Sequence, residues 1–157
     1  MAAVKSYVVD ENDLEPSRAD GDTASVRVAF DAANGCERLE QRVIRFGPGR
    51  SSDRTLEGKQ EVFFVVSGRA ELHLEGDTHA LEPEMGVFIA PGETYAVDNP
   101  GHEDLHVLSV FAPEDREAAS GERKVTVRLG DQPELDASSE RTFRYLVNED
   151  AGCFDVT

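Results

Sequence analysis

The sequence predicts an all-β protein built as a small sandwich or barrel. Short runs of β-branched and aromatic residues recur along the chain, and turn residues separate them about every eight to twelve positions. Within several runs apolar and polar residues alternate, which puts one face of a strand in a core and the other in water. At 157 residues the chain has the length of one domain with a single core.

The N-terminal third of the chain contains three predicted strands. The first covers residues 4–9 (VKSYVV), and a polar loop over 10–23 follows it. The second strand, 25–30, alternates apolar and polar residues and is expected to be half-buried. The third covers 36–46, and the sequence GPG at 47–49 ends it.

The middle of the chain has the densest strand signal. Residues 61–66 (EVFFVV) are rich in β-branched and aromatic residues, and Ser67-Gly68 is predicted to turn them directly into a second strand as a hairpin. In that second strand Ala70, Leu72 and Leu74 alternate with polar residues. Further strands are predicted at 78–82, 86–90, 94–99 and 105–113.

The C-terminal part mixes several weaker signals. Residues 113–120 (PEDREAAS) have a helical pattern, since proline opens the segment and acidic residues occupy its first turn. A strand is predicted at 124–129, a polar linker at 130–140 and another strand at 141–147. The last residues, 152–157, have the composition of a further strand.

A short internal similarity suggests a second repeat. Residues 143–157 align with residues 26–40 when Gly152-Cys153 is placed on Gly35-Cys36, although chance explains so short a match equally well. If the match is a repeat, the chain is the first half of a tandem protein. The predicted organisation is an N-terminal strand and loop (1–24), a barrel (25–130), and a linker with the first strand of a second, absent repeat (131–157).

The charge of the chain excludes several partners. There are 32 acidic and 16 basic residues, a formal net charge of −16. Such a surface repels phosphate backbones and anionic lipid surfaces, so we expect neither nucleic acid nor a membrane as a partner. The longest apolar run, 62–66, is far shorter than a membrane span, and no apolar leader segment is visible. With two cysteines, Cys36 and Cys153, a cytoplasmic location is expected.

Two motifs in the middle of the chain resemble those of the cupin superfamily, whose members are small jelly-roll barrels. The first motif places two histidines and a glutamate between glycines, and here Gly49, Glu61 and Gly68 match it. Its two histidine positions hold Thr55 and Glu57.

The second motif ends with a histidine followed by an asparagine. Gly92 and Asn99 match it, whereas its histidine position holds Tyr95 and its leading glycine and proline positions hold Glu84 and Ala90. The resemblance covers about residues 40–113 and implies a cupin-type jelly-roll β-barrel, also called a double-stranded β-helix.

The resemblance also implies a metal site, but this sequence departs from it. A cupin site holds a transition metal with three imidazoles and one carboxylate. Only the carboxylate, Glu61, is kept, so no metal and no other cofactor is predicted in this domain. The alternative is a divalent metal held weakly by Glu57 and Glu61, since magnesium and calcium prefer oxygen ligands.

The histidines of the chain offer little replacement for the missing ligands. His73 is expected on a solvated outer face, His79 in a turn and His102 in an acidic loop. His106 lies on the strand at 105–113 and could point either into the barrel or away from it. The pocket candidates are therefore Thr55, Glu57, Glu61 and Tyr95, with His106 as an additional residue.

Two hypotheses of function follow. The first is a degenerate, metal-free cupin barrel that binds a small molecule or serves as a structural or oligomerisation domain, as the N-terminal half of a two-barrel protein. Its partners would be a second copy in a homodimer, or a second cupin barrel, with residues 4–9 and 141–147 at the interface.

The second hypothesis is a cupin enzyme, an isomerase, lyase or hydrolase acting on a small polar metabolite. Glu57 and Glu61 would form an acid and base pair, with Tyr95 as proton donor. The simpler interpretation of Glu61 is structural, as a hydrogen-bond partner of Tyr95 or Thr55 across the barrel.

Overall fold

The structure is a computed structural model that describes residues 6, 8–114, 123–148, 151 and 153. Its strands, in chain order, are β1 (Ala24–Phe30), β2 (Glu40–Phe46), β3 (Gly49–Arg50), β4 (Arg54–Thr55), β5 (Lys59–Ser67), β6 (Ala70–Leu74), β7 (Asp77–Leu81), β8 (Met85–Ile89), β9 (Thr94–Asn99), β10 (Leu105–Pro113), β11 (Thr126–Arg128), β12 (Leu135–Ser138) and β13 (Arg141–Phe143). Three single 3₁₀ turns complete the list: Glu11–Asp13, Ala32–Asn34 and Leu129–Asp131.

Two antiparallel sheets form the barrel. The larger has six strands in the order β1-β2-β10-β5-β8-β11. The smaller has the order β3-β9-β6-β7, with β4 also paired to β9. The predicted all-β jelly roll is therefore confirmed. Among the described residues, no helix is long and apolar enough to cross a bilayer.

The core lies between the two sheets because alternate residues of each strand face inward. On β5 and β10, for example, the inward positions are almost completely buried, while several of their neighbours are half-exposed. The inward apolar residues include Ile44, Phe46, Phe63, Val65, Leu72, Leu74, Val87, Ile89, Val97, Leu105 and Val107. Each buried side chain of this size stabilises the fold by about 1.5–3 kcal/mol.

The predicted hairpin at Ser67-Gly68 is wrong. Strand β5 pairs with β8 and β10, whereas β6 pairs with β7 and β9 in the other sheet. The chain thus crosses between sheets at Gly68, which has a φ of 88°. A Cβ atom there would lie 2.5 Å from the backbone oxygen of Asp104, so only glycine fits this crossing.

The actual hairpin in this region joins β6 to β7. Its two-residue loop is Glu75-Gly76, and both residues have positive φ, 48° and 89°. A loop with this backbone is the type that matches the twist of antiparallel strands.

The C-terminal region folds differently from the predicted linker. Residues 135–143 form the separate two-stranded hairpin β12–β13. After it, Leu146 lies so close to the large sheet that a Cβ atom on Gly86 would come within 2.7 Å of it. Val147, Ala151 and Cys153 are buried in a second apolar cluster with Phe88 and Val127. The second repeat proposed for 131–157 stays a prediction.

Two further sequence predictions fall mainly outside the described residues. The strand predicted at 4–9 includes described positions 6, 8 and 9, and none of these is in a strand. The helix predicted at 113–120 begins at Pro113, which ends β10, and residues 115–122 lie outside the description.

Candidate functional site

Glu61 and Tyr95 meet inside the barrel from opposite sheets. Glu61 lies on β5 and Tyr95 on β9, and their exposed fractions are 1% and 3%. The Tyr95 hydroxyl lies 2.9 Å from Oε2 and 3.1 Å from Oε1 of Glu61, and donates to this carboxyl group. The expected hydrogen bond across the barrel is therefore present for Tyr95.

Ser109 supplies a second hydroxyl to the same carboxyl group. Its Oγ atom donates to Oε1 of Glu61 at 2.6 Å, and the residue is fully buried on β10. Sequence reasoning missed Ser109. The signal was the polar side chain at an inward position between Val107 and Phe111 of an otherwise apolar strand.

Burial controls the ionisation of this cluster. It raises the pKa of Glu61 above its ordinary value of 4.5, and the hydrogen bonds from Ser109 and Tyr95 and the charges of Arg42 and Arg54 only partly oppose it. Burial, together with the neighbouring Glu61 charge, also raises the pKa of Tyr95 well above its ordinary value. Tyr95 is therefore a neutral donor, and burial favours the protonated form of Glu61.

Arg54, on β4 at the rim of the barrel, turns its side chain toward the core and remains 21% exposed. Its guanidinium carbon lies 5.4 Å from the centroid of the Phe46 ring, which belongs to the core. The same guanidinium pairs with Asp22 at 2.7 Å. Arg54 was not among the predicted site residues, because the ligand position of the cupin motif falls on its neighbour, Thr55.

Arg42 approaches the cluster from β2. It lies on the same strand face as Ile44 and Phe46, stacks on the Phe111 ring at 4.4 Å and pairs with Glu40. Two arginines, each already paired with an acid, thus surround the end of the barrel that holds Glu61.

Thr55 and Glu57 do not join Glu61. Thr55 is exposed, and its hydroxyl bonds to that of Thr94 at 2.6 Å. Glu57 is exposed in a turn that leads into β5, beside Gly92. Successive side chains of a strand point to opposite faces, and β4 consists of Arg54 and Thr55 only. Because Arg54 points inward, Thr55 points outward. The expected pocket of all four residues is not formed.

His106 lies on the outer face of the large sheet. Its strand neighbours Leu105 and Val107 are fully buried in the core, and its Nε2 atom lies 3.5 Å from the Glu11 carboxylate. Burial and the charge of Arg45 lower the pKa of His106, although Glu11 opposes them. His106 therefore does not line the barrel interior.

The side chains around Glu61 do not fit a metal ion. Transition metals are held best by imidazole or thiolate ligands, but Glu61 is contacted by two hydroxyl groups that point their protons at it. Magnesium or calcium would need several further oxygen ligands with free lone pairs. Within the described part of the chain, no group of three or more His, Cys, Asp or Glu side chains could hold a metal.

Two neighbouring depressions lie between the segment before β2 and the end of β10. One has a volume of about 130 Å³ and is lined partly by Glu40, Lys59 and Phe111. The other, of about 480 Å³, shares Leu39 and Pro113 with it. Phe111, which lines the smaller depression, is the register partner of both Glu40 and Glu61.

The comparisons with known proteins agree with this architecture. Residues 42–111 match the family model of the cupin domain. This part of the chain is a cupin domain. The chain is also 28% identical over 116 residues to a protein of Streptomyces cyaneus named polyketide synthase CurC, a match that covers 72% of this chain and 73% of that protein.

Solved structures of cupin-fold proteins are similar as well. A Cupin 2 conserved barrel domain protein from Salinispora arenicola superposes with a TM-score of 0.55 at 20% identity, over 70% of this chain and 89% of that one. A predicted oxalate decarboxylase from Thermotoga maritima gives 0.62 at 18% identity, over 69% of this chain and all of that one. At these identities the likeness establishes the fold alone.

Proposed function

We propose that this cupin domain binds a small organic molecule and works without a bound metal ion. The observation that carries the proposal is the pair of hydroxyl donors on Glu61. Tyr95 and Ser109 direct their protons to the carboxyl group that a cupin metal would need as a ligand. Burial raises the pKa of this carboxyl group, which weakens it further as a metal ligand because a ligating carboxyl must be deprotonated.

The depressions at the barrel end support a small-molecule ligand. They lie between the 32–40 segment and the end of β10, and their lining combines apolar surface from Leu39 and Phe111 with charge from Arg38 and Lys59. A concave site that combines apolar surface with a few charged groups is typical of ligand binding.

Metal content is the experiment that tests this proposal. Protein purified without a histidine tag is analysed for elements and then titrated with Mn²⁺, Fe²⁺, Ni²⁺ and Zn²⁺ while its melting temperature is followed. We expect far less than one equivalent of metal and no shift that depends on Glu61. One equivalent, together with a melting shift that Glu61→Gln abolishes, would overturn the proposal.

The relative in Streptomyces cyaneus favours an enzyme as the second candidate. In this version Glu61 and Tyr95 exchange a proton with a substrate, and Glu57 takes no part because it is exposed. The chain would be added to a reconstituted polyketide synthase reaction, and its products compared with those obtained with Glu61→Gln. A product change with the wild type that the variant abolishes supports catalysis, and identical products count against it.

The setting of the domain is also a proposal. We place it in the cytoplasm, since a chain of 157 residues with two cysteines has the composition of a protein from a reducing compartment. Its partner would be a second copy or a second cupin barrel.

A further inference from the structure

The two depressions beside the end of β10 contain cations that the protein itself does not neutralise. Arg38 lines both depressions, and Lys59 lines the smaller one. Neither side chain forms an ion pair with a described residue, because the salt bridges of the described residues involve other arginines and two histidines. Two positive charges are therefore left at one place on the surface.

Two other depressions of the barrel show that this is not the rule for the chain. One is lined by Arg69, whose guanidinium pairs with Glu82 at 2.7 Å. The other is lined by Arg50, which pairs with Asp53 at 3.5 Å. The chain has twice as many acidic as basic residues, so an acidic partner is easily supplied. Cations without such a partner leave a charge that a ligand is able to pair with.

Acidic residues at the same place reduce this charge without cancelling it. Glu40 lines the smaller depression, but its carboxylate pairs with Arg42. Glu37 lines both depressions and has no ion pair with the described residues. Two unpaired cations thus face one unpaired carboxylate, and the local balance is positive. Its sign is opposite to that of the whole chain, which has a net charge of −16.

The strand order places these cations on both sides of β10, which lies between β2 and β5. Lys59 begins β5 and is the register partner of Pro113 at the end of β10. Arg38 lies two residues before β2 on the other side. The apolar part of the lining comes from Leu39, which is 40% exposed, and from Phe111 and Pro113. Cations and apolar surface therefore lie side by side.

We propose that these depressions bind an organic acid, with its carboxylate toward Arg38 and Lys59 and its apolar body against Leu39. This inference rests on the proposed function and adds the class of the ligand. The larger depression, of about 480 Å³, has a size typical of small-molecule sites. Because the whole chain repels anions, apolar contact supplies most of the affinity, and the two cations select a carboxylate over a neutral group.

Titration of the full chain with naphthoate, followed by nitrogen-15 NMR, tests this. Naphthamide has the same rings without the charge, and acetate has the charge without the rings. We expect naphthoate to bind at least about threefold more tightly than naphthamide. It should bind at least about tenfold more tightly than acetate. No binding of naphthoate at millimolar concentration, or either control binding as tightly, overturns the proposal.

Matched variants test the role of the charges. Lys59→Gln removes a cation of the smaller depression, whereas Lys124→Gln removes an exposed lysine that lines neither depression. Both variants change the net charge equally. We expect Lys59→Gln to weaken the binding of naphthoate about twofold or more, and Lys124→Gln to leave it unchanged. Glu37→Gln should tighten it. Equal effects of the two lysine variants, or a Glu37→Gln variant that binds no more tightly, overturn the proposal.

Metal analysis separates this inference from the proposed function. A protein that holds one equivalent of metal through Glu61 and still prefers naphthoate contradicts the proposed function alone. A metal-free protein that binds naphthamide as tightly as naphthoate contradicts the class of ligand alone.

Discussion

Two acidic side chains of this barrel are both buried, yet their pKa values are shifted in opposite directions. Asp22 is 9% exposed and Glu61 is 1% exposed. The pKa of Asp22 is lowered from its ordinary value of 3.8, whereas the pKa of Glu61 is raised from 4.5. The difference comes from the groups that meet each carboxyl.

Asp22 is held by a cation and by the backbone. Burial acts against its ionised form, but Arg54 pairs with it at 2.7 Å, and the backbone N–H groups of Ala24 and Ser52 each donate at 3.1 Å. These donors together outweigh the loss of water.

Among the described residues, those that donate hydrogen bonds to Glu61 are the neutral hydroxyl groups of Tyr95 and Ser109. The charges of Arg42 and Arg54 act on Glu61 at longer range. The hydrogen bonds of Arg54 go to the Ser52 carbonyl and the Asp22 carboxylate. The rim of the barrel therefore takes the cation, and the interior is left with neutral donors. Burial alone therefore does not determine the pKa of a carboxyl group. The groups that donate hydrogen bonds to it do.

The largest effect is expected from removing the cation of the rim. Arg54→Met keeps an apolar stem near Phe46 but leaves Asp22 buried without its ion pair. We expect the free energy of unfolding at pH 7 to fall by about 3 kcal/mol, measured by urea denaturation. Arg50→Met is the control, since the Arg50–Asp53 pair is exposed and should contribute less than about 1 kcal/mol. Equal effects of the two variants would contradict the role given to Arg54.

Next in size is the loss of a donor to Glu61. Tyr95→Phe keeps the ring but removes the hydroxyl, so we expect a loss of about 1–3 kcal/mol in the free energy of unfolding. The loss should be smaller at low pH, because a protonated Glu61 depends less on donors. A loss that does not change with pH would mean that the contribution of the Tyr95 hydroxyl does not depend on the ionisation of Glu61.

The two acids should also respond to pH in opposite directions. A raised folded-state pKa means that the contribution of Glu61 is full below about pH 4.5 and is lost as the pH rises. A lowered folded-state pKa means that the contribution of Asp22 is present above about pH 3.8 and is lost as the pH falls.

Urea unfolding of the wild type, Glu61→Gln and Asp22→Asn over a pH series measures these contributions. For each variant, its unfolding free energy is subtracted from that of the wild type. This difference should decrease as the pH rises for Glu61→Gln, and increase as the pH rises for Asp22→Asn. If the difference changes with pH in the same direction for both variants, the two carboxyl groups do not have opposite pKa shifts.

The smallest effect is expected at the other motif positions. Glu57→Gln and Thr55→Ala change exposed side chains, so each should alter the free energy of unfolding by less than about 0.5 kcal/mol. A loss as large as that of Tyr95→Phe would mean that the turn before β5 belongs to the buried cluster after all.

Alternation along single strands was enough to predict much of this fold. It located β1 and β10 and the outer-face position of His73, because burial of every second residue is a local property. Strand pairing is not local, so the sequence 61–75 was mistaken for a hairpin although its two strands belong to different sheets.

The candidate site was predictable only in part. The contact between Glu61 and Tyr95 follows from their motif positions. Ser109 comes from a distant strand, and the inward turn of Arg54 depends on where a two-residue strand begins. A shift of one residue reverses the direction of every side chain on a strand, and no local pattern fixes it in β4.

The most direct test of the account is a carbon-13 NMR titration of the carboxyl groups of Glu61 and Asp22 in the protein as purified. We predict that Glu61 titrates above 4.5 and Asp22 below 3.8. A Glu61 that titrates below 4.5 would mean that its hydrogen bonds or a nearby cation outweigh burial, and would contradict the contrast drawn between the two acids.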